Sequence, residues 1–170
     1  SSFTCLNIGA NTVILTVTDV NGNSSTCTAT VTVEDNVAPV ALCQNITVQL
    51  DATGNATITA AQIDNGSSDA CGIASRTLDV SSFTCLNIGA NTVILTVTDN
   101  NGNTSTCTAT VTVQDVTAPV IIGMPSNITV NVEPNTCQKL VTFTAPTATD
   151  NCGVASVVAN VSTIPLGGGV

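Results

Sequence analysis

The sequence predicts an all-β fold made of tandem β-sandwich modules with a period of about 80 residues. Two observations carry this prediction. Short runs alternate Val, Ile or Leu with Thr, which is the pattern of half-buried strands. Residues 1–36 also return as 81–116 with four differences: Val20/Asn100, Ser24/Thr104, Glu34/Gln114 and Asn36/Val116. Because this period is far longer than a solenoid repeat, each unit should have a core of its own.

The clearest strands are predicted at 92–99 and 106–115, where apolar residues and threonines fall on opposite faces. Asn101-Gly102 lies between the two runs, and Asn-Gly in this position predicts a tight hairpin. The same hairpin is predicted in the first copy around Asn21-Gly22. No stretch shows helical periodicity over 11 residues. Further strands are predicted at 45–50, 56–63, 127–132 and 137–144.

The seams between units are predicted at 34–39 and 114–119, each of which ends in a proline. They divide the chain into residues 1–36 (the head), 37–116 (the central module) and 117–170 (the tail). The head matches the closing part of a module and the tail the opening part, so we expect the chain to be a window of a longer protein. Short, Pro-stiffened seams favour a fairly rigid arrangement of neighbouring modules.

Composition restricts the partners. Two basic residues stand against eleven acids, giving a net charge of −9. This balance repels phosphate backbones and anionic lipid headgroups, so neither nucleic acid nor a membrane surface is an expected partner. No apolar run is long enough for direct membrane insertion. Divalent cations are the natural counter-charge.

Catalysis is not expected. The chain has no His and no Tyr, and it has only one Lys and one Arg, so most general-base and oxyanion constellations are absent. We therefore predict no enzyme activity and no cofactor other than calcium. The eight cysteines include no C-x-x-C pair, and without His no mixed zinc site is available. They predict a disulfide framework and an oxidising compartment.

Ordered motifs give the chain a family resemblance. In sequence they are D-x-x-A-P-V (35–40), C-x-N-I-T-V (43–48), D-x-C-G (69–72), F-T-C-x-x-I-G-x-N-x-V (83–93) and T-D-x-x-G-N-x-x-x-C-x-A-T-V-x-V-x-D (98–115). This order resembles the HYR (hyalin) repeat. The resemblance implies immunoglobulin-like sandwiches that occur in tandem in extracellular adhesive proteins. The four-cysteine form is similar to repeats of very long bacterial surface proteins. The tail departs from it, with Gly123-Met124-Pro125 in place of the leading cysteine.

The resemblance also implies a disulfide pattern. In an immunoglobulin-like sandwich the first strand often runs parallel to the last, which would pair Cys43 with Cys107. The remaining expected pairs are Cys71–Cys85 and Cys137–Cys152, with Cys5 and Cys27 bonded outside the window. The alternative pair Cys85–Cys107 stays open.

Oxygen-bearing side chains suggest calcium sites. Asp99, Asn101 and Asn103 have the i, i+2, i+4 spacing at which oxygen ligands converge on Ca²⁺. The alternative is an ordinary hairpin turn, in which Asp and Asn are equally common. The other candidates are Asp19, Asn21 and Asn23 in the first copy. The seam acids Glu34, Asp35 and Asp115 could also bind calcium together with Asp69 or Asp150.

Seven Asn-x-Ser/Thr triplets are candidate glycosylation sites. They begin at Asn23, Asn45, Asn55, Asn65, Asn103, Asn127 and Asn160.

The sequence therefore predicts a structural, adhesive repeat region of a long extracellular cell-surface protein or filament, acting as a stiff, disulfide-braced stalk. Its expected partners are neighbouring modules and an unnamed surface, glycan or protein ligand. One alternative is an array of carbohydrate- or protein-binding modules. Another is a filament subunit in which the head of one copy completes the tail of the next.

Overall fold

The computed structural model describes residues 2–135 and 139–158. The described residues form mostly β-strands with very little helix, so the all-β prediction is confirmed. The helical pieces are α1 (Ala60–Ile63) and the two 3-10 turns Cys5–Asn7 and Cys85–Asn87. The strands are β1 (Gly9–Thr18), β2 (Ser24–Val33), β3 (Ile46–Gln49), β4 (Asn55–Thr57), β5 (Ile73–Leu78), β6 (Ser82–Thr84), β7 (Gly89–Asp99), β8 (Thr104–Gln114), β9 (Val120–Ile122) and β10 (Thr147–Thr149).

The central module contains a four-stranded sheet in the order β3-β8-β7-β5 and a two-stranded sheet of β4 and β6. Strands β7 and β8 form the antiparallel hairpin that the Asn-Gly signal predicts. The first strand of the module, β3, runs parallel to its last strand, β8, with Ile46 opposite Val111. Residues 43–45 precede β3, so Cys43 lies outside the alternation of inward and outward side chains along the strand. Its backbone forms an isolated bridge with Asp64.

The core of the central module is aliphatic. Its single aromatic side chain, Phe83 on β6, is 2% exposed and packs with Ile58 and Ile63 from the neighbouring segment. The inward face of β7 and β8 supplies six of the ten buried core residues, namely Val93, Leu95, Val97, Ala109, Val111 and Val113. Alternation along β7 and β8 thus places every second residue in the core and leaves most of the threonines outside.

Three strand predictions are wrong, the first of them only in part. Residues 56–63 form the end of β4 and then α1, because Thr59 and Gln62 make a capping box that starts a helical turn. Residues 127–132 and the described part of 137–144 (residues 139–144) are not in strands. The repeat counterpart of 127–132, β3, is held by β8, and among the residues that the structure describes the tail contributes no strand equivalent to β8.

The head repeats the hairpin of the central module in the same register. Leu15 pairs with Cys27 in β1–β2, and Leu95 pairs with Cys107 in β7–β8. The burial of the two leucines differs sharply. Leu15 is 59% exposed, whereas Leu95 is 0% exposed. The second layer that covers Leu95 in the central module has no equivalent over the head within the described residues.

Candidate functional site at the module joints

Three disulfides organise the described part of the chain. Cys43 and Cys107 are joined within the central module, which is the pair that the resemblance implies. The other two bonds cross the seams: Cys5 is joined to Cys71, and Cys85 to Cys152. The expected pairs Cys71–Cys85 and Cys137–Cys152 are therefore corrected, as is the expectation that Cys5 bonds outside the window. Cys137 itself lies outside the described residues.

The reason is the position of these cysteines along the module. Cys71 lies beside the β7–β8 turn, where Asn100 Nδ2 donates to the Cys71 carbonyl at 2.8 Å. Cys85 follows β6 and lies beside Gly54, at the opposite end. The 11 residues of β8 run from one end to the other, a distance of about 35 Å. A disulfide requires Cα atoms within about 7 Å, so Cys71 and Cys85 cannot be bonded.

Both crossing bonds join the same two motifs of the repeat. Cys5 and Cys85 occupy equivalent positions in the repeated F-T-C motif, and Cys71 and Cys152 lie in the repeated D-x-C-G motif. The bonded partners are 66 and 67 residues apart. We call the contact of Cys5 and residues 34–37 with residues 69–72 and 99–103 the first joint. The second joint is the contact of Cys85, residues 51–55 and Asp115 with residues 150–153.

The second joint is closely packed around a glycine. Gly54 has a φ of +78° in the turn before β4, and a Cβ there would lie 2.7 Å from the Cys85 sulfur and 3.2 Å from the Asn151 carbonyl oxygen. Asn151 Nδ2 donates to the Asp51 carbonyl at 3.0 Å and to Asp115 Oδ1 at 3.3 Å. The tail is therefore fastened to the central module by a covalent bond and by side-chain hydrogen bonds.

At the first joint, asparagines of the β7–β8 turn hold the neighbouring segments. Asn103 Nδ2 donates to the carbonyls of Asp35 (3.0 Å) and Val37 (3.3 Å). Asn100 holds the D-x-C-G loop through the Cys71 carbonyl, and its backbone N–H donates to the Gly72 carbonyl at 3.1 Å. Position 20, the counterpart of Asn100 in the head, is Val. The turn residues thus position the seam and the bonded cysteine.

Carboxylates converge at the first joint. A ligand atom from each of Asp35, Asp69 and Cys71 lies within 4.8 Å of the others. The Cys71 sulfur is in a disulfide and cannot bind as a thiolate, so the available donors are oxygens. Asp69 Oδ1 accepts from the Cys71 N–H at 2.7 Å, and Asp35 Oδ1 accepts from the Val37 N–H at 3.1 Å. This donor set suits Ca²⁺ better than a soft metal.

Buried side-chain oxygens without a hydrogen-bond partner occur at both joints. Among the described residues, the buried side-chain oxygens without a hydrogen-bond partner are Asp35 Oδ2, Asp150 Oδ2 and Asn151 Oδ1. Asp150 is the repeat counterpart of Asp69, and Asp115 is the counterpart of Asp35. All three free atoms therefore belong to the joints, where buried acceptors lack a donor.

The hairpin carboxylates have a different role. Asp99 is 1% exposed, and its Oδ1 accepts from the N–H groups of Asn101 and Asn103, both at 2.8 Å. Desolvation alone would raise the pKa of Asp99, but the Asn103 amide and the turn N–H groups outweigh it and lower that pKa. Asp19 in the head has the same set of donors and also a lowered pKa. N–H groups point at these carboxylates, as in an ordinary hairpin turn, and calcium at Asp19, Asn21, Asn23, Asp99, Asn101 and Asn103 stays a prediction.

The candidate glycosylation sites divide by exposure. The side-chain amide of Asn103 is half-buried and fully engaged with Asp99 and the seam, so it is a poor acceptor for a glycan. Asn160 lies outside the described residues. The remaining five are exposed, namely Asn23, Asn45, Asn55, Asn65 and Asn127, and modification there stays a prediction. Cys27 is exposed and forms no disulfide within the described part of the chain.

The fold and the joints define a class: small all-β units, joined by repeated disulfides that cross from one unit to the next. Residues 114–165 match the family described as the HYR domain. Over 160 residues, or 90% of its length, the chain is 30% identical to Hyalin of Strongylocentrotus purpuratus. Over 158 residues it is 32% identical to Hyalin of Lytechinus variegatus. The resemblance to HYR repeats is confirmed by these matches. The chain spans 13% and 29% of the lengths of these two relatives.

Two observations bear on location. Three disulfides fit a protein of an oxidising compartment. Within residues 2–135 and 139–158, the helices are only single turns, and none could cross a lipid bilayer.

Proposed function

We propose that the chain is a structural, adhesion-related repeat region of an extracellular surface protein, in which the joints keep neighbouring modules in a fixed orientation. The observation that carries this proposal is the repetition of the joint. The same cysteine pair crosses both seams, and each seam is also held by asparagine amides. Similarity to two proteins named Hyalin supports an adhesive context.

A non-enzymatic role follows from the same features. The residues best held in place are turn and seam residues, whose carboxylates and amides are engaged in binding backbone groups. With no His and with one Arg paired to Asp64 at 2.9 Å, the chain offers little acid–base chemistry. The role of the repeat region is then to hold a binding element of the larger protein away from the cell. Its direct contacts are the neighbouring modules.

The test is whether the modules tumble together. We expect backbone ¹⁵N relaxation of the oxidised 170-residue chain to give one rotational correlation time for the β1–β2 hairpin and for the central module. The variant Asn103→Ala removes the amide that holds the seam, while Asn55→Ala removes an exposed amide that bonds only to Thr53. Only the first variant should loosen the head. Independent correlation times in the unmodified oxidised chain would refute the fixed-joint function.

We also propose that Ca²⁺ binds at the joints rather than in the hairpin turns. The free buried oxygens of Asp35, Asp150 and Asn151 support this, since a divalent cation would satisfy them and offset the local negative charge. Calorimetric titration with CaCl₂ should detect binding that Asp35→Asn weakens at least tenfold. The matched control Asp19→Asn alters an acid already saturated by its turn and should leave the affinity unchanged. Absence of binding, or equal losses in both variants, would refute the joint site.

A filament subunit is a second candidate, favoured by the open apolar face of the head. Leu15 and Val17 are 59% and 61% exposed there, and the tail has an open cleft of about 370 Å³ lined by Met124, Phe143 and Val157. Sedimentation velocity distinguishes the two. A chain that stays monomeric at high micromolar concentration would exclude completion of the head by the tail of another copy.

A further inference from the structure

We propose that the disulfides form a continuous covalent load path that bypasses most of the backbone. Tension that enters at Cys5 passes through the first crossing bond to Cys71 and then along the backbone to Cys85. The second crossing bond carries it to Cys152 in the tail. The two cysteines that delimit the load-bearing segment, Cys71 and Cys85, are 14 residues apart.

The path leaves most of the module outside the line of force. Of the central strands, only β5 and β6 lie in the segment 71–85. The edge strand β3 and the two central strands of the sheet, β8 and β7, belong to loops closed by the crossing bonds. Cys43–Cys107 closes a further loop of 64 residues within the module, and it lies off the shortest path. Force on the chain therefore does not act directly on the hairpin that builds the core.

The consequence is a limit on extension. A fully stretched backbone spans at most about 3.6 Å per residue. Between Cys5 and Cys152 the load-bearing segment and two bonds could extend to only about 60 Å, whereas the 147 residues without these bonds could extend to about 530 Å. A module that unfolds under load would thus lengthen the chain very little.

This limit on extension should recur in every repeat that has both cysteine motifs. Each crossing bond joins an F-T-C cysteine to the D-x-C-G cysteine of the next unit, and both bonds have nearly the same separation, 66 and 67 residues. Each further unit with both motifs would add one more segment of about 14 load-bearing residues to the path. The inference rests on the proposed stalk function for its purpose, but the path itself depends only on which cysteines are bonded.

Single-molecule stretching of the 170-residue chain, with end handles attached without thiol chemistry, tests this. The oxidised chain should reach a final contour of about 36 residues, or about 130 Å, and the phosphine-reduced chain about 600 Å. The double variant Cys5→Ser/Cys71→Ser should reach about 300 Å, because the path then runs through Cys43–Cys107.

The matched control removes the bond that lies off the path. Cys43→Ser/Cys107→Ser should unfold more easily and yet keep the contour of about 130 Å. A contour of the oxidised chain well above this value, or a shift in this control, would overturn the load path. Such a result is distinguishable from a failure of the fixed-joint function, since that function is tested separately by the relaxation of the modules at zero force.

Discussion

Leu95 and Leu15 provide a matched pair of core substitutions within one molecule. Both lie in the same nineteen-residue sequence, and each pairs with a cysteine of the following strand. Leu95 is 0% exposed and Leu15 is 59% exposed. The perturbation is Leu→Ala at each position in turn, so that local sequence, strand propensity and register are held constant.

The expected losses differ severalfold. Replacing a fully buried leucine removes its transfer free energy and leaves a cavity, which costs about 2–5 kcal/mol. For Leu15 less than half of the side-chain area is buried, and no cavity forms on an open face, so the loss should be below about 1 kcal/mol. For Leu95→Ala we expect a decrease of about 3 kcal/mol in the free energy of unfolding of the central module.

Urea unfolding followed by far-UV circular dichroism is the assay, because the chain has no Trp or Tyr to report by fluorescence. Equal losses for Leu95→Ala and Leu15→Ala would refute the reasoning, since they would mean that the head face is covered in solution. If the loss for Leu15 also grew with protein concentration, a second copy would be the cover.

Three further predictions concern the joints and turns. Gly54→Ala should lower the free energy of unfolding by about 2–4 kcal/mol, because it combines a left-handed backbone with a clash against a disulfide sulfur. Gly102→Ala, which has a φ of +93° and open space around it, should cost only about 1–2 kcal/mol in the same urea experiment; equal costs would contradict the packing. Asp99 has a lowered pKa when folded, so its contribution is present above the unfolded pKa of about 3.9 and is lost as pH falls through the lower folded value. The stability advantage of the parent over Asp99→Asn should therefore shrink between pH 5 and 2, and a pH-independent difference would count against this role. Asn100→Val, which copies the head, should cost about 1–2 kcal/mol and speed hydrogen exchange in the 69–72 loop; unchanged exchange would show that the amide does not hold that loop.

The predictable part of the fold is the part governed by local sequence. Alternation and an Asn-Gly turn specify β7 and β8, because side-chain period and turn chemistry act over a few residues. The same local rules placed β3 correctly at 45–50, but they failed at 127–132. A strand needs a partner as well as a pattern, and that partner depends on residues far along the chain.

The disulfides that cross the joints are not predictable from local sequence for a related reason. Asp35 and Asp69 are both candidate ligands in the sequence, yet the family resemblance implies a partner for Cys71 within its own module. A module boundary drawn from sequence hides contacts that cross it. The constant separation of 66 and 67 residues does not reveal these bonds either, because in a tandem repeat every pair of motifs keeps its spacing.

The crossing bonds also change how stability is distributed. The central module has an aliphatic core with one aromatic side chain, so its net stability should lie toward the low end for small domains. In the chain-entropy model, closing a loop of 66 residues contributes about 4 kcal/mol. Because that loop begins in the head and ends in the central module, the constraint belongs to neither unit alone. Unfolding the central module leaves the first joint bonded, and refolding begins from a chain whose ends are already held. The head and the central module thereby share the stability that the small core of the central module lacks.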